Sequence, residues 1–377
     1  MRNKNRRHRR KELEQKDLED GVITIPNYLV KNGLRYVEKS QFAFRTYVKG
    51  RWVGRTLLDV LEDEFKTNDR EYYAQAIQDQ RILINELPTT EDHEIDLKDE
   101  LTHYIERIEV PIIDPTLEII EENDEYLIVN KPSSIPVHPC GNYKYNSLQL
   151  ILQREHGYAE LRVCNRLDKQ TSGIVFCAKS IEAANNFNAD LKSLGQIKKA
   201  YLARVIGKID VNKETDDFTL IPDEPSTFLV DKALFRPKSS YCTTIPQDDG
   251  KKGKDSQTKF QFLFYDEDSN TSVLKCFPIT GRTHQIRVHL KSIGHPIAND
   301  PKYGGELFND IPDLPSIDEE AKEDPSDPYT PKLIEGMCLK IWLHAYEYTF
   351  KGKCYSTELP DWATQEYKIP HRFSYEY

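Results

Sequence analysis

Apolar positions along this chain fall into short runs, and their spacing sorts most of them into helices or strands. Leu57, Leu58, Val60, Leu61 and Phe65 recur at helical spacing behind Thr56, a predicted cap. A second helix opens at Asp69 or a neighbour and carries Tyr72, Tyr73, Ala76 and Ile77. Residues 81–85 predict a short strand, and 94–108 a second after an acidic turn. Residues 111–115, bounded by prolines, predict a linker. Beyond it, 117–120 and 126–130 predict a hairpin, 131–139 a rigid loop and 147–155 a helix. The continuous run 174–178 predicts a buried strand, and 181–194 a helix capped by Ser180. Residues 199–207 alternate as a half-buried strand, and 259–264 pair with 272–276 across a polar turn. The period then switches to helical over 283–290, with Thr283 as predicted cap and Gly294 as the stop, before 339–350 returns to strand. Residues 210–257 are polar and interrupted, with a flexible loop at 247–255; residues 304–336 predict an acidic, proline-rich surface insert. Many strands with few helices predict a mixed α+β domain over about 116–377.

Composition narrows the setting. A chain of 377 residues has room for two or three domains, and 38% hydrophobic with 30% charged residues describes a soluble globular protein. No apolar run is long enough to span a bilayer. The first eleven residues hold Arg2, Lys4, Arg6, Arg7, Arg9, Arg10 and Lys11 with no apolar segment, which excludes a secretory signal and disfavours a mitochondrial presequence. They predict a disordered basic arm that binds nucleic acid or directs nuclear import, so the expected compartment is the cytoplasm, with the nucleus second. Seven cysteines without a Cys-x-x-Cys pair predict reduced thiols and no metal framework. A net charge of −10 argues against broad nucleic-acid coating, so RNA contact must rest on local basic patches. Gly-rich phosphate loops, Gly-x-Ser-x-Gly elbows and His-Glu-x-x-His pairs are missing from the sequence, and nucleotide hydrolysis and the common hydrolase chemistries lose support.

The chemistry concentrates in Asn165-Arg166-Leu167-Asp168-Lys169-Gln170-Thr171-Ser172-Gly173, a polar turn running straight into the apolar 174–178 strand. Two accounts of Asp168 stand on this stretch alone: a catalytic carboxylate braced by a rigid strand, or a turn aspartate bonding its own backbone. Two further stretches join it. One carries Lys199 and Tyr201; the other reads Gly281-Arg282-Thr283-His284-Gln285-Ile286-Arg287-Val288-His289. Together they resemble the RluA-type pseudouridine synthases, whose pattern has His-Arg-Leu-Asp-x-x-Thr-Ser-Gly, Lys-x-Tyr and Gly-Arg-Thr-His-Gln-Ile-Arg-Val-His. Asn165 stands in place of the family's histidine, and Asn299 in place of a glycine before Asp300. Residues 47–59 and 135–141 further resemble the eukaryotic branch that modifies uridine 32 of the tRNA anticodon loop.

The resemblance implies a mainly antiparallel pseudouridine synthase domain over 116–377. Residues 45–110 resemble a divergent alpha-L type RNA-binding module, although Glu62, Asp63 and Glu64 place acid on its first helix; residues 1–44 form the basic arm and an extension. The implied reaction isomerises uridine without cofactor or metal, and the implied partner is tRNA. Asp168 is the implied catalytic carboxylate, Arg287 its ion partner, and Tyr201 the ring that stacks on the uracil and a candidate for removing the C5 proton. Arg166 fills the space left by the extruded base, Lys199 holds a phosphate or positions Tyr201, and Ile286 packs against the base or its neighbours. Arg282, Lys198, Lys291 and Lys302 are candidate phosphate contacts. His284 and His289 are assigned to packing or hydrogen bonding, since no third ligand stands at metal spacing. Some fungal relatives carry a fused zinc deaminase; here its His-x-Glu and Pro-Cys-x-x-Cys are missing from the sequence. A ribosomal or multi-RNA synthase, and a catalytically silent RNA-binding protein, are the alternatives.

Overall fold

A computed structural model of the chain describes residues 2–31, 33–114, 116–158, 160–193, 197–212, 215–237, 243–244, 253–306 and 338–368. Most of the 247–255 loop and nearly all of the 304–336 insert lie outside the described residues. The chain forms two compact units: the segment up to Leu29 with Val37–Glu109, and Val30–Tyr36 with most of the chain from Val110 onward.

In the first unit, the expected disordered arm is a helix, α1 (Arg2–Glu19). Arg, Lys, Gln and Glu all favour helix, and the helix is tied down at its far end. Asp17, 6% exposed, accepts hydrogen bonds from Arg45 Nη2 at 2.7 Å and the Tyr104 hydroxyl at 3.2 Å. Helix α2 (Leu57–Glu64) starts at Thr56, whose Oγ1 accepts from the Asp59 amide, and α3 (Arg70–Gln78) at Asp69, which accepts from the Tyr72 amide at 2.8 Å. Their apolar stripes close a core with Trp52, Ile82 and Leu101. The sheet beneath has the order Ser40–Tyr47, Glu100–Arg107, Ile82–Ile84, Leu87–Pro88. Its first strand escaped the sequence pattern, because it is stabilised by pairing with the distant Glu100–Arg107 rather than by an alternating face of its own.

The second unit is built on an eleven-stranded sheet. In spatial order its main path runs Thr219–Leu220, Thr227–Asp231, Gln257–Asp266, Thr271–Pro278, Ile197–Ile206, Leu343–Phe350, Ser172–Ala178, Tyr126–Lys131 and Glu118–Glu122. All neighbours are antiparallel except Ser172–Ala178 beside Leu343–Phe350. Ser172–Ala178 is an interior strand and its residues Ile174 to Ala178 are 0% exposed, which is what its unbroken apolar run demands. Helices α4 (Leu148–Glu155) and α5 (Ile181–Lys192) cover it, with Phe187 of α5 against Phe176. Helix α6 (Gln285–Ser292) packs its Ile286 and Leu290 into the cluster formed by Leu202, Leu274 and Trp342.

Three local expectations change. The predicted linker contains a strand, Ile112–Ile113, paired with Leu34 and Arg35. The polar stretch 210–257 hides Thr227–Asp231, in which only Phe228 and Val230 are fully buried, too few to show a period. Helix α6 is not capped by Thr283: it starts after His284, which sits in the left-handed region at φ 55.

Candidate active site

The loop carrying Asp168 leaves the short strand Arg162–Val163 and enters Ser172–Ala178. Its turn is closed by the Thr171 amide donating to the Asp168 carbonyl at 3.1 Å. Gly173 follows at φ +113, against the backbone of Ala345, where a Cβ would overlap the neighbouring strand. The Thr-Ser-Gly of the motif is therefore the point at which the loop enters the sheet between two strands. Ser172 is held there by His344. The Thr357 hydroxyl donates to the Glu358 carbonyl, so it accepts from His344 Nε2 (2.6 Å), leaving Nδ1 to accept from Ser172 (2.8 Å). Burial pushes the His344 pKa down to about 4, consistent with this neutral ring.

From the other side the loop is held by Lys131, which is 0% exposed. Its ammonium donates to the carbonyls of Pro132 (2.7 Å), Ile135 (2.8 Å) and Lys169 (3.2 Å). Burial drives its pKa down to about 7, and the charge of Asp168 acts in the opposite direction. One buried cation thus fixes the 131–139 loop to the residue next to Asp168. Sequence reasoning passed over Lys131, whose only signal was a charge at the end of an apolar run.

The carboxylate of Asp168 meets α6. Arg287 Nη1 donates to Asp168 Oδ2 at 2.9 Å, while Nε and Nη2 donate to Asp300 at 2.6 and 2.8 Å. Arg287 is 2% and Asp300 1% exposed, whereas the Asp168 side chain keeps 26%. The guanidinium therefore spends its fork on a buried carboxylate and offers its remaining edge to the accessible one. Burial works against the charge on Arg287, but the hydrogen bonds and charges of Asp300 and Asp168 prevail and raise its pKa. Its Cζ also lies 4.9 Å from the Tyr303 ring centroid. In the sequence Asp300 carries no signal beyond following Asn299; its part in the site needs the fold, since it lies on a different element from Arg287.

His284, placed by its left-handed backbone, bonds the Tyr303 hydroxyl through Nδ1 at 2.7 Å and brings Nε2 to 3.6 Å from Asp168 Oδ1. Burial lowers its pKa despite the charge of Asp168. Gln285 explains the middle of the motif: its Oε1 accepts from Thr280 Oγ1 and the Arg282 amide, and its Nε2 donates to Gln257 O and Thr258 Oγ1. His289 accepts from Thr258 and donates to the Lys232 carbonyl at 3.1 Å, and burial lowers its pKa to about 4.

Tyr201 lies on Ile197–Ile206 at an irregularity in its pairing with Leu343–Phe350. It is half-buried, and its hydroxyl has no hydrogen-bond partner among the described residues. Burial raises its pKa, and the nearby charge of Asp168 adds to this. Asp168 is bonded to Arg287 and its charge is felt at Tyr201, so three elements contribute to this region. Lys199 lies over the Tyr348 ring at 5.4 Å, and burial lowers its pKa. Arg166 is exposed, with no ion pair among the described residues. Arg282 is exposed and donates to the Asp255 carbonyl at 3.1 Å. Ile286 is 6% exposed and belongs to the core, so its side chain is spent on packing. Lys302 is close enough to feel the charges of Arg287, Asp168 and Asp300, after burial itself has lowered its pKa.

The geometry is thus an accessible carboxylate held by a buried arginine, with a tyrosine near enough to feel its charge. Residues 125–292 match the RNA pseudouridylate synthase family. The chain is 34% identical over 383 residues to the mitochondrial tRNA pseudouridine(32) synthase of Saccharomyces cerevisiae, covering 90% of this chain and 79% of that one. It is 30% identical over 405 residues to the tRNA pseudouridine(31) synthase of the same yeast, covering 91% and 98%. It is 35% identical over 206 residues to the dual-specificity RNA pseudouridine synthase RluA of Vibrio vulnificus, covering 53% and 74%. The chain belongs to the RluA family of RNA pseudouridine synthases. RNA is the substrate class that membership implies. No described helix is long and apolar enough to cross a membrane.

Proposed function

We propose that this chain is a tRNA pseudouridine synthase that acts at uridine 32 of the anticodon loop, with Asp168 as its catalytic carboxylate. The observation that carries the assignment of Asp168 is its partly exposed side chain held at 2.9 Å by a buried Arg287. Position 32 rests on the likeness to the yeast synthase named for it.

Isomerisation breaks the N1–C1′ bond, turns the uracil, joins C5 to C1′ and moves the C5 proton away. Three roles are open to Asp168 in this sequence: attack on C1′, stabilisation of positive charge at the sugar, or removal of a sugar proton to give a glycal. Each uses the carboxylate oxygens, one of which Arg287 holds in place at 2.9 Å. Tyr201 stacks on the uracil through its ring. Its raised pKa keeps the phenol neutral, which suits stacking and works against a standing phenolate base. Arg166, exposed two residues from Asp168, takes the place of the extruded base. Arg282 and Lys199 serve the RNA backbone, and Ile286 supports the site from beneath. Residues 45–110 act as a divergent alpha-L type RNA-binding module. The proposed compartment is the cytoplasm, which imaging of a tagged chain would overturn by showing it in mitochondria.

The test is incubation of the purified chain with unmodified tRNA, followed by mapping of pseudouridine. Conversion at position 32 is the expected result. Conversion only at position 31, or only in ribosomal RNA, would replace the substrate assignment; no conversion in any RNA would leave a silent RNA-binding protein.

A further inference from the structure

The strand Ser172–Ala178 has Tyr126–Lys131 along its whole length on one edge, in register from Gly173 to Ala178. Its other edge is shared. Leu343–Phe350 pairs only with Ser172 and Gly173, and Arg162–Val163 only with Cys177 and Ala178. The Cys164 amide adds one bond to the Phe176 carbonyl at 2.8 Å. Between these partners the Phe176 amide and the Ile174 carbonyl, two residues apart, face the same edge with no strand opposite them among the described residues.

Asn165 fills that gap with its side chain. Its Oδ1 accepts from the Phe176 amide at 2.8 Å, and its Nδ2 donates to the Ile174 carbonyl at 3.1 Å. A carboxamide is a peptide group without a chain, so it continues the ladder for one more pair while the main chain is free to turn away. The residue after it is Arg166, and the third is Asp168. The loop therefore leaves the sheet at a point set by two side-chain bonds. Lys131 and Gly173 set only its far half. The bridge asks for a donor and an acceptor side by side. Aspartate supplies only acceptors, and the two ring nitrogens of a histidine diverge.

We propose that Asn165, where the family pattern has histidine, is a positioning residue: its carboxamide stands in for a missing strand and sets the departure of the loop that presents Arg166 and Asp168. The proposal rests on the assignment of Asp168 as the catalytic carboxylate.

Asn165→Asp keeps the shape and removes the donor; Asn165→His restores the family residue. Single-turnover release of tritium from C5-labelled uridine is measured on mixed tRNA and ribosomal RNA, so that no particular target position is assumed. Both variants are expected to lower the rate constant roughly 10- to 100-fold, the scale at which a displaced catalytic group acts. RNA affinity by filter binding should fall by less than the rate constant, since the backbone contacts proposed for Arg282 and Lys199 lie outside this loop. Hydrogen exchange of the Phe176 amide in Asn165→Ala gives a readout independent of activity: it should accelerate, while the Val175 amide on the opposite edge does not. A parent-like rate in Asn165→Asp, or affinity that weakens in step with the rate, overturns the proposal. So does unchanged exchange at Phe176. A parent chain silent on every RNA refutes the proposed function instead, and the exchange data then judge the bridge alone.

Discussion

Both units pair arginines with carboxylates, and the exposed pairs on α2 are a different device from the buried pair on α6. In the first unit, Arg51, Arg55 and Arg70 pair with Glu64, Asp63, and both Asp59 and Glu62, on or beside α2. Arg51 and Arg70 keep 61% and 47% of their side chains in solvent. In the second, Arg287 and Asp300 are 2% and 1% exposed and hold a third group between protein and solvent. In water such pairs balance charge and little else. In a dry interior a pair cannot be broken without stranding a charge, so it fixes geometry. The acid on α2, an obstacle to RNA contact when viewed as sequence, is matched residue by residue by arginine. The same residue types buried at α6 become a site.

The largest effect that would break this contrast is at Asp168. Asp168→Ala should reduce pseudouridine formation on the order of 1,000-fold or more, with RNA affinity largely retained. An active variant would remove the carboxylate from the proposed chemistry. Next is Arg287→Ala, which leaves Asp300 buried without its partner and should destabilise the fold by about 3–5 kcal/mol in denaturant unfolding.

A smaller effect comes from the neutral buried histidines. His289 and His344 have folded pKa values near 4 against 6.5 in the unfolded chain. Between these values the unfolded chain binds more protons, so stability rises with pH across the window and is lost as pH falls from 6.5 toward 4. Each contributes at most about 3 kcal/mol to that loss. Unfolding curves at pH 7 and pH 5 measure it, and His344→Gln should flatten the slope; an equal slope in the variant would contradict the neutral assignment. The smallest effect is on α2, where Arg70→Ala should leave the melting midpoint unmoved. A clear drop there would mean that the surface pairs are structural after all, and the contrast would fail.

Much of the fold was legible in the sequence wherever local and tertiary preferences agree. The capped helices α2, α3 and α5, the 118–131 hairpin and the buried strand at 172–178 follow from period and capping. The polarity of the N-terminal segment suggested disorder, because nothing local announces that Asp17 meets Arg45 and Tyr104. Thr283 has the right chemistry for a cap, yet Gln285 binds the Arg282 amide and His284 takes the left-handed turn.

The candidate site divides in the same way. The sequence by itself determined the residue types in order: a carboxylate on a turn before an apolar strand, a lysine and tyrosine on a second strand, an arginine six residues past a glycine. It did so because each lies within a short stretch whose backbone form is set by near neighbours. Only the tertiary structure decided that Asp300 occupies most of Arg287, that Lys131 ties the loop from within, and that Asn165 completes the edge of a strand. Those contacts join residues from separate elements, and the energy that selects them, the avoidance of unpaired charge and unmade hydrogen bonds in a dry interior, exists only once the chain has folded.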